Sequence, residues 1–112
     1  MKIALYSDLH LETLRSFPAL EAIPRPKAES DLTVLAGDIH QGTQGLLALA
    51  GLGEKNHIYV AGNHEYYHHD IEILDDQLRE LAAQKGLNYL QRSSVVIDGV
   101  RFMGCTLWTD FN

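Results

Sequence analysis

Cysteine is almost missing from this chain. Cys105 stands alone, which excludes an internal disulfide, a thiol pair and a multi-cysteine zinc site. Long apolar runs are missing too, none approaching the roughly 18 residues that a membrane span needs. The stretch from Met1 to Leu11 already contains Asp8 and His10, and no basic segment leads into a hydrophobic one. No secretory leader is therefore expected, and cytoplasm is the expected compartment. Basic residues are scarce, with 9 Lys and Arg against 15 Asp and Glu and a net charge of −6. That balance argues against a protein that coats nucleic acid, because such proteins carry a basic face that releases counterions from phosphates. A phosphate-bearing substrate stays open, since bound divalent metals can supply the positive charge. The 3 prolines, Pro18, Pro24 and Pro26, all fall between Phe17 and Ser30. The residue before a proline resists helical geometry, so this stretch is expected to be a loop.

What remains is an ordinary globular composition. At 112 residues and 46% hydrophobic content, the chain suits one compact domain over residues 1–112, neither disordered nor fibrous. Three segments share one pattern. Ile3-Ala4-Leu5-Tyr6 runs into Ser7-Asp8-Leu9-His10, Leu32 to Ala36 into Gly37-Asp38-Ile39-His40, and Ile58 to Ala61 into Gly62-Asn63-His64-Glu65. Each apolar run reads as a strand buried on both faces, and each ends in a small residue followed by a polar cluster. Gln44 to Gly53 is a short helix candidate. A stronger one starts at Asp70 as N-cap, carries an apolar stripe of Ile71, Leu74, Leu78, Leu81 and Ala82, and stops at Lys85-Gly86. Leu87 to Leu90 reads as a short strand. Asp98-Gly99 between Val95-Val96-Ile97 and Val100 to Met103 signals a hairpin. The order is βαβαβ plus a hairpin, an α/β sheet whose ligands belong beyond the carboxyl ends of its strands. All three polar clusters occupy that edge.

The clusters have a shared chemistry. Asp8 and His10 offer a carboxylate and an imidazole, a donor pair for Mn, Fe, Zn or a similar ion. Asp38 adds a carboxylate whose two oxygens can bridge two ions, and Asn63 a neutral amide oxygen. The glycines before Asp38 and Asn63 allow sharp turns and close approach. Two ions about 3.5–4 Å apart would clamp a phosphoryl group and activate a water. His64 then stands beside the site as a general acid for the leaving oxygen.

Asp8-Leu9-His10, Gly37-Asp38 and Gly62-Asn63-His64-Glu65, in this order and each after a strand, resemble the first three motifs of the calcineurin-like metallophosphoesterases. Gly104-Cys105-Thr106-Leu107-Trp108 is similar to the strand that follows in many bacterial members. The resemblance implies a dinuclear centre. Asp8 and His10 would bind the first divalent ion, Asp38 would bridge both, Asn63 would bind the second, and His64 would protonate or stabilise the leaving group. It also implies a four-layer α/β/β/α sandwich, of which this chain would supply the first half. The family pattern continues with a further metal-binding histidine and a Gly-His-X-His motif, whereas this sequence stops at Phe111-Asn112. The first ion would then lack one ligand and the second two, to be supplied by a missing C-terminal half or by another chain in a homo-oligomer.

The remaining candidates have plainer readings. Singly, Asp8, Asp38 and Asn63 could cap turns; with His10 and His64 they point jointly to metal. Asp31 reads as a turn residue, His40 matches no obligatory family position, and His68 and His69 read as a solvated loop. His57 falls at the wrong end of the sheet. Tyr66 and Tyr67 read as packing residues with satisfied hydroxyls, and Cys105 and Trp108 as core of the last strand. Asp110 has no role that the family pattern implies. The leading expectation is a metal-dependent phosphoesterase acting on a phosphomonoester or diester through metal-bound hydroxide, with no membrane partner. Its rival is a catalytically inactive metal-binding or assembly module that keeps half the site. A nucleotide-binding domain fits poorly, because the loop Ser7-Asp8-Leu9-His10 lacks the glycines that cradle a pyrophosphate.

Overall fold

The computed structural model describes residues 1–13, 29–53 and 55–108. Most of the expected proline loop, and Asp110, lie outside the described residues. The elements run β1 (Ile3–Tyr6), β2 (Leu32–Ala36), α1 (Gln44–Ala50), β3 (Ile58–Val60), α2 (Ile71–Lys85), β4 (Asn88–Tyr89), β5 (Ser93–Ile97) and β6 (Val100–Gly104). Single 3-10 turns span Leu11–Thr13 and His64–Tyr66. Strands β1 to β4 form a four-stranded sheet in sequence order, with every pairing parallel. Strands β5 and β6 form a separate antiparallel hairpin.

Local chemistry explains the element ends. The Asp70 side chain accepts from the Ile73 N–H at 3.1 Å, capping α2. Gly86 closes the helix in the left-handed region at φ 70°, its N–H bonded to the Ala82 carbonyl. In the hairpin, Asp98 and Gly99 both take positive φ, 50° and 75°, as a tight turn between right-twisted strands demands.

Two cores flank the sheet. On one face Leu35, Tyr59 and Ala61 pack with Leu46 and Leu49 of α1 and Leu74 and Leu78 of α2. On the other, Leu32 and Ile58 meet Leu90 and Ile97, with Val34, Val60, Val95 and Phe102 alongside. The hairpin thus covers β2 and β3. Strand β1 departs from the expected double burial: Ile3 and Leu5 are 44% and 66% exposed, because the hairpin packs over β2 and β3 and does not reach β1. Two further expectations are corrected. Strand β6 ends at Gly104, and Cys105 and Trp108 beyond it are exposed rather than core. In α2, Ile71 is exposed while Asp75 is buried.

Asp75 is buried because it has partners. Its Oδ1 accepts from the Tyr89 hydroxyl at 2.7 Å and from the Tyr66 hydroxyl. Gln91 donates to the Tyr66 oxygen at 3.0 Å and to Thr106 Oγ1 at 2.7 Å, and Thr106 Oγ1 donates to the Ala61 carbonyl at 2.6 Å. The network ties α2, the turn at Tyr66 and the exit of the hairpin to the end of β3. Burial, and then hydrogen bonds to Tyr66 and Asp75, raise the pKa of Tyr89; burial, and then the Asp75 hydrogen bond, raise that of Tyr66, so both phenols stay protonated donors.

His57 lies at the amino end of β3, away from the polar clusters, and is buried. Its Nδ1 accepts the Thr33 N–H at 3.0 Å, so the proton of the neutral ring sits on Nε2, which has no partner among the described residues. Protonating Nδ1 would set it against the Thr33 donor. Burial, and then the Lys55 charge, hold the His57 pKa below its ordinary 6.5. A base with a depressed native pKa contributes fully above the unfolded value, and that contribution is lost as pH falls from there toward the folded value. The melting temperature should therefore drop between about pH 7 and pH 5, and His57→Asn, which keeps an acceptor for Thr33 but cannot titrate, should flatten this slope. Thermal melts followed by circular dichroism across that range check it.

Candidate metal centre

The three loops after β1, β2 and β3 meet beyond the carboxyl edge of the sheet. The first is stitched to the second by backbone bonds: Asp8 N–H to Gly37 O at 2.9 Å, His10 N–H to Asp38 O at 3.0 Å, and Leu11 N–H to Ile39 O at 2.7 Å. The second and third touch through glycine. A Cβ on Gly37, at φ +89°, would lie 3.0 Å from the Gly62 backbone, and one on Gly62 would lie 2.2 Å from Asp38 Oδ1. Only residues without side chains allow this approach. Asp8, His10 and Asp38 all adopt left-handed backbone, with φ of 56°, 47° and 55°. Such conformations cost non-glycine residues free energy and persist where the surroundings impose them.

For Asp38 the restraint comes from Glu65, which is fully buried. Its Oε1 accepts from Asp38 N–H at 2.9 Å and Gly62 N–H at 2.8 Å; its Oε2 accepts from Ile39 N–H at 3.0 Å and the Tyr59 hydroxyl at 2.6 Å. Four donors fill the acceptor capacity of a carboxylate. One side chain therefore clamps the second loop to the third and both to β3. Burial, and then the neighbouring Glu65 charge, push the Tyr59 phenol well above its ordinary pKa.

On this frame, His10, Asp38 and His64 bring one potential ligand atom each within 4.8 Å of one another. The His64 N–H donates to Asp38 Oδ1 at 2.9 Å, and the rings of His10 and His64 meet edge-on with centroids 4.4 Å apart. Asp8 is less enclosed. Its side chain is 64% exposed, with Oδ1 3.8 Å from His10 Nε2. Asn63 faces Asp38. In one amide orientation its nitrogen donates to both Asp38 carboxylate oxygens at 3.2 Å; in the other its oxygen faces those acceptors, an arrangement that a cation between amide and carboxylate satisfies. Imidazole nitrogens with carboxylate and amide oxygens make a donor set for Mn, Fe, Zn and similar ions, so the residues fit a divalent metal.

The other candidates fall around this group. His40 Nδ1 accepts the Gln41 N–H at 2.7 Å, and His68 and His69 are exposed. Tyr67 is exposed, its ring 4.5 Å from that of His64. Together with Asn63, Tyr66, His69, Leu107 and Trp108 it lines a half-open cleft. Two acids to which the sequence motifs assign no role, Glu65 and Glu12, complete the frame. Glu65 stands three residues after Gly62, the spacing at which an acid reaches back to the N–H before a helical turn, so it had a local signal. Glu12 had none beyond its nearness to His10. Its Oε1 lies 3.2 Å from Nδ1 of both His10 and His64. Burial works to raise the Glu12 pKa, but its backbone N–H and the two imidazoles outweigh that and hold it below its ordinary value.

The parallel α/β sheet thus gathers His10, Asp38 and His64, side chains that could hold a metal ion, at its carboxyl edge, where ligands of such sheets sit. The family model for calcineurin-like phosphoesterases matches residues 1–105, and the chain belongs to that family of metal-dependent hydrolases. The four-strand parallel sheet and its two helices are consistent with the first half of the metallophosphoesterase fold. No curated protein matches the chain. No helix among the described residues is long and apolar enough to cross a membrane.

Proposed function

We propose that this chain hydrolyses a phosphomonoester or phosphodiester at a dinuclear centre held by Asp8, His10, Asp38 and Asn63, with His64 as the proton donor. The observation that carries the reading is the gathering of His10, Asp38 and His64 within 4.8 Å, on loops held in costly left-handed backbone. When bound, a pair of divalent cations lowers the pKa of a water and draws charge from the phosphoryl oxygens. The protein's part is placement. Asp38, part-buried between the loops, would bridge the two ions, and its Oδ1 accepts from the His64 N–H. Asp8 and His10 flank it from the first loop and Asn63 from the third. His64, partly buried, with the His10 ring edge-on to it and the Tyr67 ring tilted against it, would give a proton to the leaving alkoxide. The open cleft beside Asn63 and Tyr67 gives the leaving group a place to lie.

The test is hydrolysis of mono- and bis-p-nitrophenyl phosphate by this chain with and without Mn²⁺. With the remaining ligands supplied by a second copy of the chain, metal-dependent turnover is expected, falling to the metal-free rate in Asp38→Ala, and the preferred ester separates the monoester from the diester reading. Mn²⁺ binding with no turnover, from folded protein, would favour the metal-binding module instead. Turnover unchanged in Asp38→Ala would remove the centre altogether.

A further inference from the structure

We propose that Glu12 is the positioning residue of this centre, holding His10 and His64 together in the tautomer that leaves Nε2 of each ring free to bind metal or exchange a proton. This rests on the reading of His10 and His64 given above. Glu12 sits in the turn Leu11–Thr13, directly after the first ligand loop, with its side chain only 15% exposed. One oxygen, Oε1, is 3.2 Å from His10 Nδ1 and 3.2 Å from His64 Nδ1. The other, Oε2, is buried with no partner among the described residues.

The direction of both bonds follows from the acceptor. An ionised carboxylate has no proton to give, so each Nδ1 must carry one. A neutral ring with its proton on Nδ1 has its lone pair on Nε2. For His10 that nitrogen is the one 3.8 Å from Asp8 Oδ1. Ligating histidines generally donate their second ring nitrogen to a carboxylate, which sets ring orientation and basicity. Here one carboxylate serves two rings from different loops, His10 close by and His64 from 52 residues away in sequence. Their edge-on contact at 4.4 Å is the geometric consequence of sharing one acceptor atom. The same bonds fasten the third loop to the first, which the backbone ladder between the first and second loops does not do.

Long-range ¹H–¹⁵N spectra of protein labelled with ¹⁵N-histidine, metal-free and above the histidine titration range, read each tautomer directly. Unrestrained imidazole favours the proton on Nε2. The expected result is Nδ1–H for both His10 and His64 in the parent chain, reverting toward Nε2–H in Glu12→Ala. In Glu12→Gln, whose amide oxygen still accepts, Nδ1–H should persist, so a variant that fails to fold is backed by a milder one and by the parent itself. Mn²⁺ affinity, titrated by calorimetry, should fall about 10–100-fold in Glu12→Ala and recover most of that in Glu12→Gln. Nε2–H on either ring of the parent chain, or equal Mn²⁺ affinity in Glu12→Ala, would overturn the proposal. A parent chain that shows both Nδ1–H tautomers but no Mn²⁺ binding would count against the metal centre, and the tautomers would still support the role of Glu12 in setting the rings.

Discussion

Glu65→Gln is expected to lower unfolding stability by about 2–4 kcal/mol, enough to move the melting temperature by roughly 10 °C or more. The estimate follows from the donors. Glu65 receives three backbone N–H groups and the Tyr59 hydroxyl, all directed at two carboxylate oxygens in a fully buried position. Glutamine has the same shape but one acceptor oxygen fewer. Its amide is best placed with the oxygen toward Asp38 and Gly62 and the nitrogen toward Ile39 and Tyr59, because the Tyr59 hydroxyl can rotate and accept. The Ile39 N–H is then left buried without a partner, at about 1–3 kcal/mol, and the remaining bonds lose their charge assistance. Glu65→Ala would strand all four donors, a loss of the same order as the whole stability of a small domain. Urea unfolding by circular dichroism checks both variants. An unchanged midpoint for Glu65→Gln would show that the clamp between the loops is held by something else.

Gly62→Ala is expected to weaken Mn²⁺ binding about 10–100-fold and to cost roughly 1–3 kcal/mol of stability. A methyl group there would lie 2.2 Å from Asp38 Oδ1, 2.9 Å from its Cγ and 2.7 Å from its backbone nitrogen. The close atoms include backbone, so turning the Asp38 side chain does not relieve the clash. The second and third loops must separate. Separation stretches the Asp38 and Gly62 bonds to Glu65 and moves the carboxylate that the proposed centre would share between two ions. Gly53→Ala is the control. Gly53, unlike Gly62, has positive φ, at +111°, and nothing lies within 4 Å of a Cβ there. That variant should lose some stability through backbone strain and keep its metal affinity. Calorimetric titration of both variants separates the effects: equal Mn²⁺ affinity for Gly62→Ala and the parent would mean that Asp38 is not held by this contact.

The order of elements, and the edge at which the polar residues collect, are legible in the chain before it folds. Apolar runs ending in Ser7-Asp8, Gly37-Asp38 and Gly62-Asn63 specify strand ends, Asp70 and Gly86 specify the bounds of α2, and Asp98-Gly99 specifies the hairpin. These signals are local: they act through backbone conformation and hydrogen bonding within a few residues, so they can be read in one dimension. The tertiary structure alone decided which side chains serve which partners. Asp75 is buried only because Tyr66 and Tyr89 bond to it, and Ile3 and Leu5 read as buried but lie exposed because the hairpin does not reach β1. Glu65 reaches Asp38 and Ile39 across 27 and 26 residues, and Glu12 reaches His64 across 52. A buried carboxylate is stable only where donors converge on it, and that convergence is a property of packed loops, which no spacing in the chain encodes.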